Sequence, residues 1–268
     1  NYSIREEYID ACTIAHSLIR NTFIRMNMFD KLELASFGSQ ISGSGLGGSS
    51  SFLVALVSAI SKIQLNNLTK DEIIQLAFDI EVNNVGAPIG GQDHYLSALG
   101  GGNLIHFENK KNIIHEKNTA TKTAENLVSQ CHVVFTGINR SATKVINNIK
   151  EENKEKNIKF ITKIRSICED YLNDDLHLGE IENLVNHVKE SWILKKQLSS
   201  VSNPKIEDLE EFLERNSIEV LKLLGAGGGG YFLVRTSPEV DINKLAKENN
   251  FKYYKCEVDS QGLSTNIL

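Results

Sequence analysis

The sequence predicts an α+β fold in two domains, and three observations carry that prediction. Segments of helical period alternate with short segments of strand period. Two glycine clusters, at 43–48 and 225–230, each run straight into an apolar element, a helix in the first case and a strand in the second. Between them, at 118–130, the chain turns polar and loses its large apolar residues, which puts a boundary near residue 128 and gives expected domains of 1–128 and 129–268. A chain of 268 residues with 41% hydrophobic content has material for one large core or two modest ones.

Ile4, Tyr8, Ile9, Cys12, Ala15, Leu18, Ile19 and Phe23 share one face of an opening helix, and residues 31–37 then alternate like a half-buried strand. The first glycine cluster follows. Behind it Phe52, Leu53, Ala55, Leu56, Ala59, Ile60 and Ile63 recur at helical spacing. Thr69 and Glu72 make a capping box for a helix reaching about Asn84, with Glu81 near its far end. A connection containing Pro88 leads into Gln92, Asp93, His94 and Tyr95, then a triple glycine at 100–102. Residues 103–107 read as a strand, and 109–112 as a hairpin turn into Ile113 and Ile114. The second half opens on a buried-strand run at 131–136 and continues in long Lys/Glu-rich amphipathic helices between 141 and 215. After its glycine cluster come a strand at 231–234, a helix at 242–248 and a strand near 251–258. There is no internal repeat.

A net charge of −5 and a pI near 5.9, with lysines interleaved among acids, exclude a basic field for nucleic acid. The longest apolar stretch, 52–63, is too short to cross a membrane and is broken by Ser58 and Ser61. Cys12, Cys131, Cys168 and Cys256 include no C-x-x-C pair and suit reduced thiols, so a cytoplasmic protein without nucleic-acid or membrane partners is expected. Nothing in the sequence specifies an oligomeric state.

The run SGSGLGGSSS at 42–51 is built to hold phosphate. Its glycines let backbone N–H groups approach an anion, the helix start behind them adds unpaired donors and a positive dipole end, and its serines offer hydroxyls to a metal. Gly43, Gly45 and Gly48 satisfy G-x-G-x-x-G, yet the preceding segment is alternating and charged. No strand ending in an acid follows at the right distance, since Asp71 falls in a helix start, so a dinucleotide fold is disfavoured. No lysine follows the glycines, so a P-loop is excluded too. A kinase without a P-loop lysine remains.

Three separated motifs, GSGLGGSSS at 43–51, QDHY at 92–95 with its following glycines, and LGAGGGGYFL at 224–233, together resemble those of the GHMP small-molecule kinases. With FTGINRSA at 135–142, the chain is most similar within that family to the heptose 7-phosphate kinases. The resemblance implies a ribosomal-S5-like N-terminal nucleotide-binding domain, here lacking its first strands, and an α/β-plait C-terminal domain. It implies ATP and Mg²⁺ as cofactors, and phosphorylation of the anomeric hydroxyl of a small-molecule sugar phosphate. Gly43, Ser44, Gly45, Leu46, Gly47, Gly48, Ser49 and Ser50 would cradle the nucleotide, Ser49 and Glu81 would hold the metal, and Asp93 would orient and deprotonate the acceptor hydroxyl. Arg140, whose planar guanidinium suits a phosphate, and Gly227 and Gly228 would serve the substrate side. His94 reads as a neighbour of Asp93 instead of a second base, because phosphoryl transfer needs only one. The family's first motif is absent, so the chain is expected to be a piece of a longer kinase. Alternatives left open are a fucokinase-like enzyme, a catalytically silent sensor on the same fold, and an NAD-dependent enzyme.

Overall fold

Thr69 begins the best-defined helix by accepting from the Glu72 N–H while the Glu72 carboxylate accepts from the Thr69 N–H, the reciprocal capping box expected there. The computed structural model describes residues 5–28, 32–37, 45–108, 112–114, 118–139 and 142–266. They fall into two compact units, the first of 1–40, 47–100 and 261–268, the second of 41–46 and 101–260.

The first unit contains a short 3₁₀ turn at Ala11–Thr13, then α1 (Ser17–Arg25), α2 (Gly48–Ile63), α3 (Lys70–Asp79) and α4 (Gln92–Leu99). Helix α2 lies against both α3 and α4. It buries Leu53, Val54, Leu56, Val57 and Ile60, together with Ile73, Ile74 and Ala77 of α3 and Ala98 of α4; of the face expected from spacing, Leu53, Leu56 and Ile60 are buried, Phe52 and Ala59 partly so, and Ala55 and Ile63 are exposed. Helix α3 passes into one π-helical turn at Ile80–Asn84. Such turns occur preferentially at functional sites. Residues 261–266 return to this unit: Leu263 N–H donates to the Ala98 carbonyl at 3.1 Å, and the Ser58 and Thr265 hydroxyls lie 2.6 Å apart. The opening helix is shorter than expected. Residues 32–37 form no strand, and Leu34 and Phe37 are exposed, because alternation alone does not make a strand.

The second unit holds a four-stranded antiparallel sheet in the order β4-β5-β3-β6, formed by β3 (Cys131–Phe135), β4 (Ile218–Leu223), β5 (Tyr231–Thr236) and β6 (Tyr253–Lys255). A small hairpin pairs β1 (Ile105–His106) with β2 (Ile113–Ile114); most of its expected turn lies outside the described residues. Helices α5 (Thr119–Ser129), α6 (Ala142–Glu151), α7 (Lys154–Asn173), α8 (Ile181–Lys195), α9 (Pro204–Arg215) and α10 (Ile242–Asn249) complete the unit. Its main core joins Val134, Trp192, Ile206, Leu213, Phe232 and Val234, and a smaller one joins Leu127, Cys131, Val185 and Leu221.

The division differs from the boundary expected at 128, since residues 101–128 belong to the second unit and 261–268 to the first. The polar stretch at 118–130 is helix α5, started by an Asn118–Thr121 capping box. Its buried face is Ala120, Thr121, Thr123 and Leu127, and Thr123 returns its hydroxyl to the Thr119 carbonyl at 2.8 Å. Small, self-satisfied threonines fill that face, so composition conceals it.

Candidate active site

Gly47 is the N-cap of α2 and adopts a left-handed conformation, with φ +71°. Gly45 is left-handed as well, with φ +77°. A glycine at the cap supplies no side-chain acceptor, and the first turn of α2 itself carries no acid, so any negative charge at this positive dipole end comes from other elements. Position 47 has a second constraint. A Cβ there would sit 3.1 Å from Asp93 Cγ and 3.4 Å from Asp93 Oδ2. The Asp93 carboxylate, on the first turn of α4, is therefore packed directly against the start of the glycine-led helix.

Glu81 sits on the π-helical turn and is 3% exposed. Ser50, buried in the first turn of α2, donates its hydroxyl to Glu81 Oε2 at 2.9 Å. His94, fully buried on α4, places Nε2 at 2.9 Å from the same oxygen, an ion-pair distance that falls off the line of an ideal hydrogen bond. Burial by itself would raise the Glu81 carboxyl pKa, but the contacts with His94, Ser49 and Ser50 outweigh it and hold the pKa below the usual value. A buried carboxylate is thus kept ionised beside the first turn of α2. The His94 ring is held in turn by the edge-on ring of Phe78, with centroids 5.6 Å apart.

Gly47, Gly48, Ser49, Ser50, Glu81 and Asp93 all lie in the first unit. Gly47, Ser49, Ser50, Glu81 and Asp93 form one cluster there, with Gly48 as the first residue of α2. Ser49 is exposed, and Ser50 differs from its expected role in that its side chain serves Glu81, leaving only its backbone for a nucleotide. Gly45 and Leu46 precede the cluster in the chain and group with the second unit. Gly43, Ser44 and Arg140 lie outside the described residues. Gly227 and Gly228 belong to the second unit, where they make a tight turn against Val201. A Cβ at Gly227 would lie 2.7 Å from Val201 Cγ1, and Gly228 N–H already donates to the Val201 carbonyl at 2.7 Å. The contact of His94 with Glu81 escaped the sequence reading; only its place beside Asp93 on a helix, about 100° around the axis, hinted at it.

The donor set suits a small hard cation. An exposed Ser49 hydroxyl and an ionised Glu81 carboxylate are oxygen ligands, and Mg²⁺ characteristically takes one or two such ligands and completes its shell with phosphate oxygens and water. Among the described residues no cluster of three His, Cys, Asp or Glu side chains forms a self-contained metal cage. No helix among them is long and apolar enough to cross a membrane.

Residues 14–101 match the family described as the GHMP kinases N terminal domain. Over 227 residues the chain is 30% identical to the D-glycero-alpha-D-manno-heptose 7-phosphate kinase of Campylobacter jejuni, a match covering 81% of this chain and 66% of that protein. It is 26% identical over 231 residues to the L-fucokinase/L-fucose-1-P guanylyltransferase of Bacteroides fragilis, covering 81% of this chain and 24% of that one. The chain thus spans two thirds or less of the length of these curated relatives. The solved Methanococcus jannaschii mevalonate kinase shares the fold, with a TM-score of 0.63 at 19% identity over 93% of this chain and 78% of the other. The three motifs, the glycine-led helix beside an aspartate, and these likenesses place the chain in one family: it belongs to the GHMP kinases.

Proposed function

We propose that the protein transfers the γ-phosphoryl group of ATP to the anomeric hydroxyl of a sugar phosphate, with D-glycero-D-manno-heptose 7-phosphate as the first candidate acceptor. The observation that carries this reading is the packing of the Asp93 carboxylate against Gly47 at the start of α2. Amides at 48–50 and the dipole end of α2 form a seat for phosphate oxygens. Asp93 stands at the edge of that seat, where it orients the acceptor hydroxyl and takes its proton as the new O–P bond forms. Ser49 and Glu81 hold Mg²⁺, which when bound with ATP neutralises charge on the transferring phosphoryl group. Arg140 grips the acceptor's own phosphate, and Gly227 and Gly228 shape the loop that supports the substrate side.

The 30% identity to a heptose 7-phosphate kinase supports the choice of acceptor, and the fucokinase match supports fucose as the runner-up. ADP release by the intact protein with Mg²⁺–ATP, screened over heptose 7-phosphate, fucose, galactose and mevalonate, tests the proposal. Heptose 7-phosphate is expected to give the highest kcat/KM. Asp93→Asn is expected to lower kcat by roughly 10²- to 10⁴-fold, the usual contribution of a positioned base, with an unchanged circular dichroism spectrum. Preference for fucose would move the assignment to the runner-up. Turnover that survives Asp93→Asn would defeat the catalytic role.

A further inference from the structure

We infer that His94 is a positioning residue for the metal site: by holding Oε2 of Glu81 it leaves Oε1 as the oxygen that meets the cation. The inference rests on the kinase reading above and deepens it. Two groups converge on the same carboxylate oxygen, Ser50 Oγ from α2 and His94 Nε2 from α4, each at 2.9 Å. A carboxylate addressed twice on one oxygen is restrained about its last torsion, and its other oxygen is offered to a ligand together with Ser49, whose hydroxyl also contacts the carboxylate. The imidazole is itself immobile, being fully buried with Phe78 edge-on against it. Neither ring nitrogen makes a well-aligned hydrogen bond among the described residues, and Nε2 is the one that lies at ion-pair distance from the Glu81 carboxylate.

Helix α4 thereby does two jobs in one turn. Asp93 faces the start of α2 while His94, the next residue, supports Glu81 on the π-helical turn. The geometry of the base and that of the metal ligand are tied to the same short helix. Groups that hydrogen-bond a metal ligand typically change metal affinity 10- to 100-fold when removed.

The test measures Mn²⁺ as a spectroscopic substitute for Mg²⁺, by electron paramagnetic resonance on the intact protein with ATP and no acceptor, so that no turnover is needed. His94→Leu is expected to weaken Mn²⁺ binding by about 10- to 100-fold while ATP affinity in EDTA stays unchanged. His94→Gln, whose amide keeps a donor of similar reach, is expected to recover most of the loss. A folded His94→Leu that binds Mn²⁺ as tightly as the parent overturns the inference, as does a His94→Gln no better than His94→Leu. Should His94→Leu not fold, His94→Asn, too short to reach Glu81, takes its place; equal Mn²⁺ affinity in the Asn and Gln variants then overturns it. A parent protein that binds no Mn²⁺ with ATP overturns the kinase reading itself, a separate outcome.

Discussion

A hydrogen atom is the largest side chain that position 47 admits. Its φ of +71° is left-handed, and a Cβ there would press on the Asp93 side chain at 3.1–3.4 Å. Gly47→Ala is therefore expected to cost about 1–2 kcal/mol of stability from the backbone, read in a urea melt. It should also lower kcat, by up to roughly 10²-fold, because Asp93 must yield by a few tenths of an ångström and a displaced catalytic group loses its aim. Turnover equal to the parent's would show that Asp93 does not act from its present place. At this scale the motifs pointed to residues that the fold does gather, Gly47, Ser49, Ser50, Glu81 and Asp93, while the roles proposed for them rest on the kinase reading. They could not distinguish Ser49 from Ser50, because which of two adjacent serines faces inward depends on the helix rotation set by Leu53, Val54 and Val57. The role of His94 was hidden for a similar reason, since its partner, Glu81, is on a different element.

Element by element, local signals succeeded where the chemistry is local. The Thr69 capping box and the helices of the second unit from α6 onward follow from caps and period, whereas α5 did not announce itself. Strand β4 went unseen because it starts at Ile218, two residues after α9, with no separating turn signature. Helix α4 was masked by the glycines on both sides of it. Part of what holds α4, beside its packing on α2 and α3, comes from far along the chain. Gly262, with φ +63°, lies so close that a Cβ there would meet the Ala98 carbonyl oxygen and the Gly100 nitrogen at 2.6 Å, and Leu263 N–H donates to Ala98. Ending the chain after Ser260 is expected to leave the second unit folded and to speed hydrogen exchange of the α4 amides by about tenfold or more, equivalent to losing on the order of 1–2 kcal/mol of hydrogen bonding and packing. Unchanged protection of Tyr95 and Ala98 would show that the tail does not support the helix.

For the molecule as a whole, buried titratable groups set the alkaline limit of stability. Burial pushes the Cys131 thiol up to about 12 from a usual 9.0, and raises Cys256, Tyr171 and Tyr231 as well. In the unfolded chain Cys131 ionises above about pH 9 while the folded form stays protonated, so the stability it contributes is lost as the pH climbs from 9 toward 12. Lys222, whose pKa burial lowers, acts in the opposite sense below 10.5. The urea midpoint is expected to fall between pH 9 and 11, and to fall less steeply in Cys131→Ala; parallel slopes for the two proteins would remove Cys131 from the account. The two-unit organisation was itself partly legible, since two glycine motifs implied two bodies. Their borders were not, because a unit closed by residues 261–268 depends on pairing that no local window contains.

That closure gives the first unit an unusual history in the cell. The hydroxyl contact between Ser58 and Thr265 joins positions 207 residues apart. A ribosome finishes α2, α3 and α4 long before the strap that completes them emerges, and the intervening sheet unit is synthesised in the meantime. Nascent chains stalled anywhere in that interval carry α2, α3 and α4 without residues 261–266, and are expected to expose apolar surface of the kind a folding chaperone recognises.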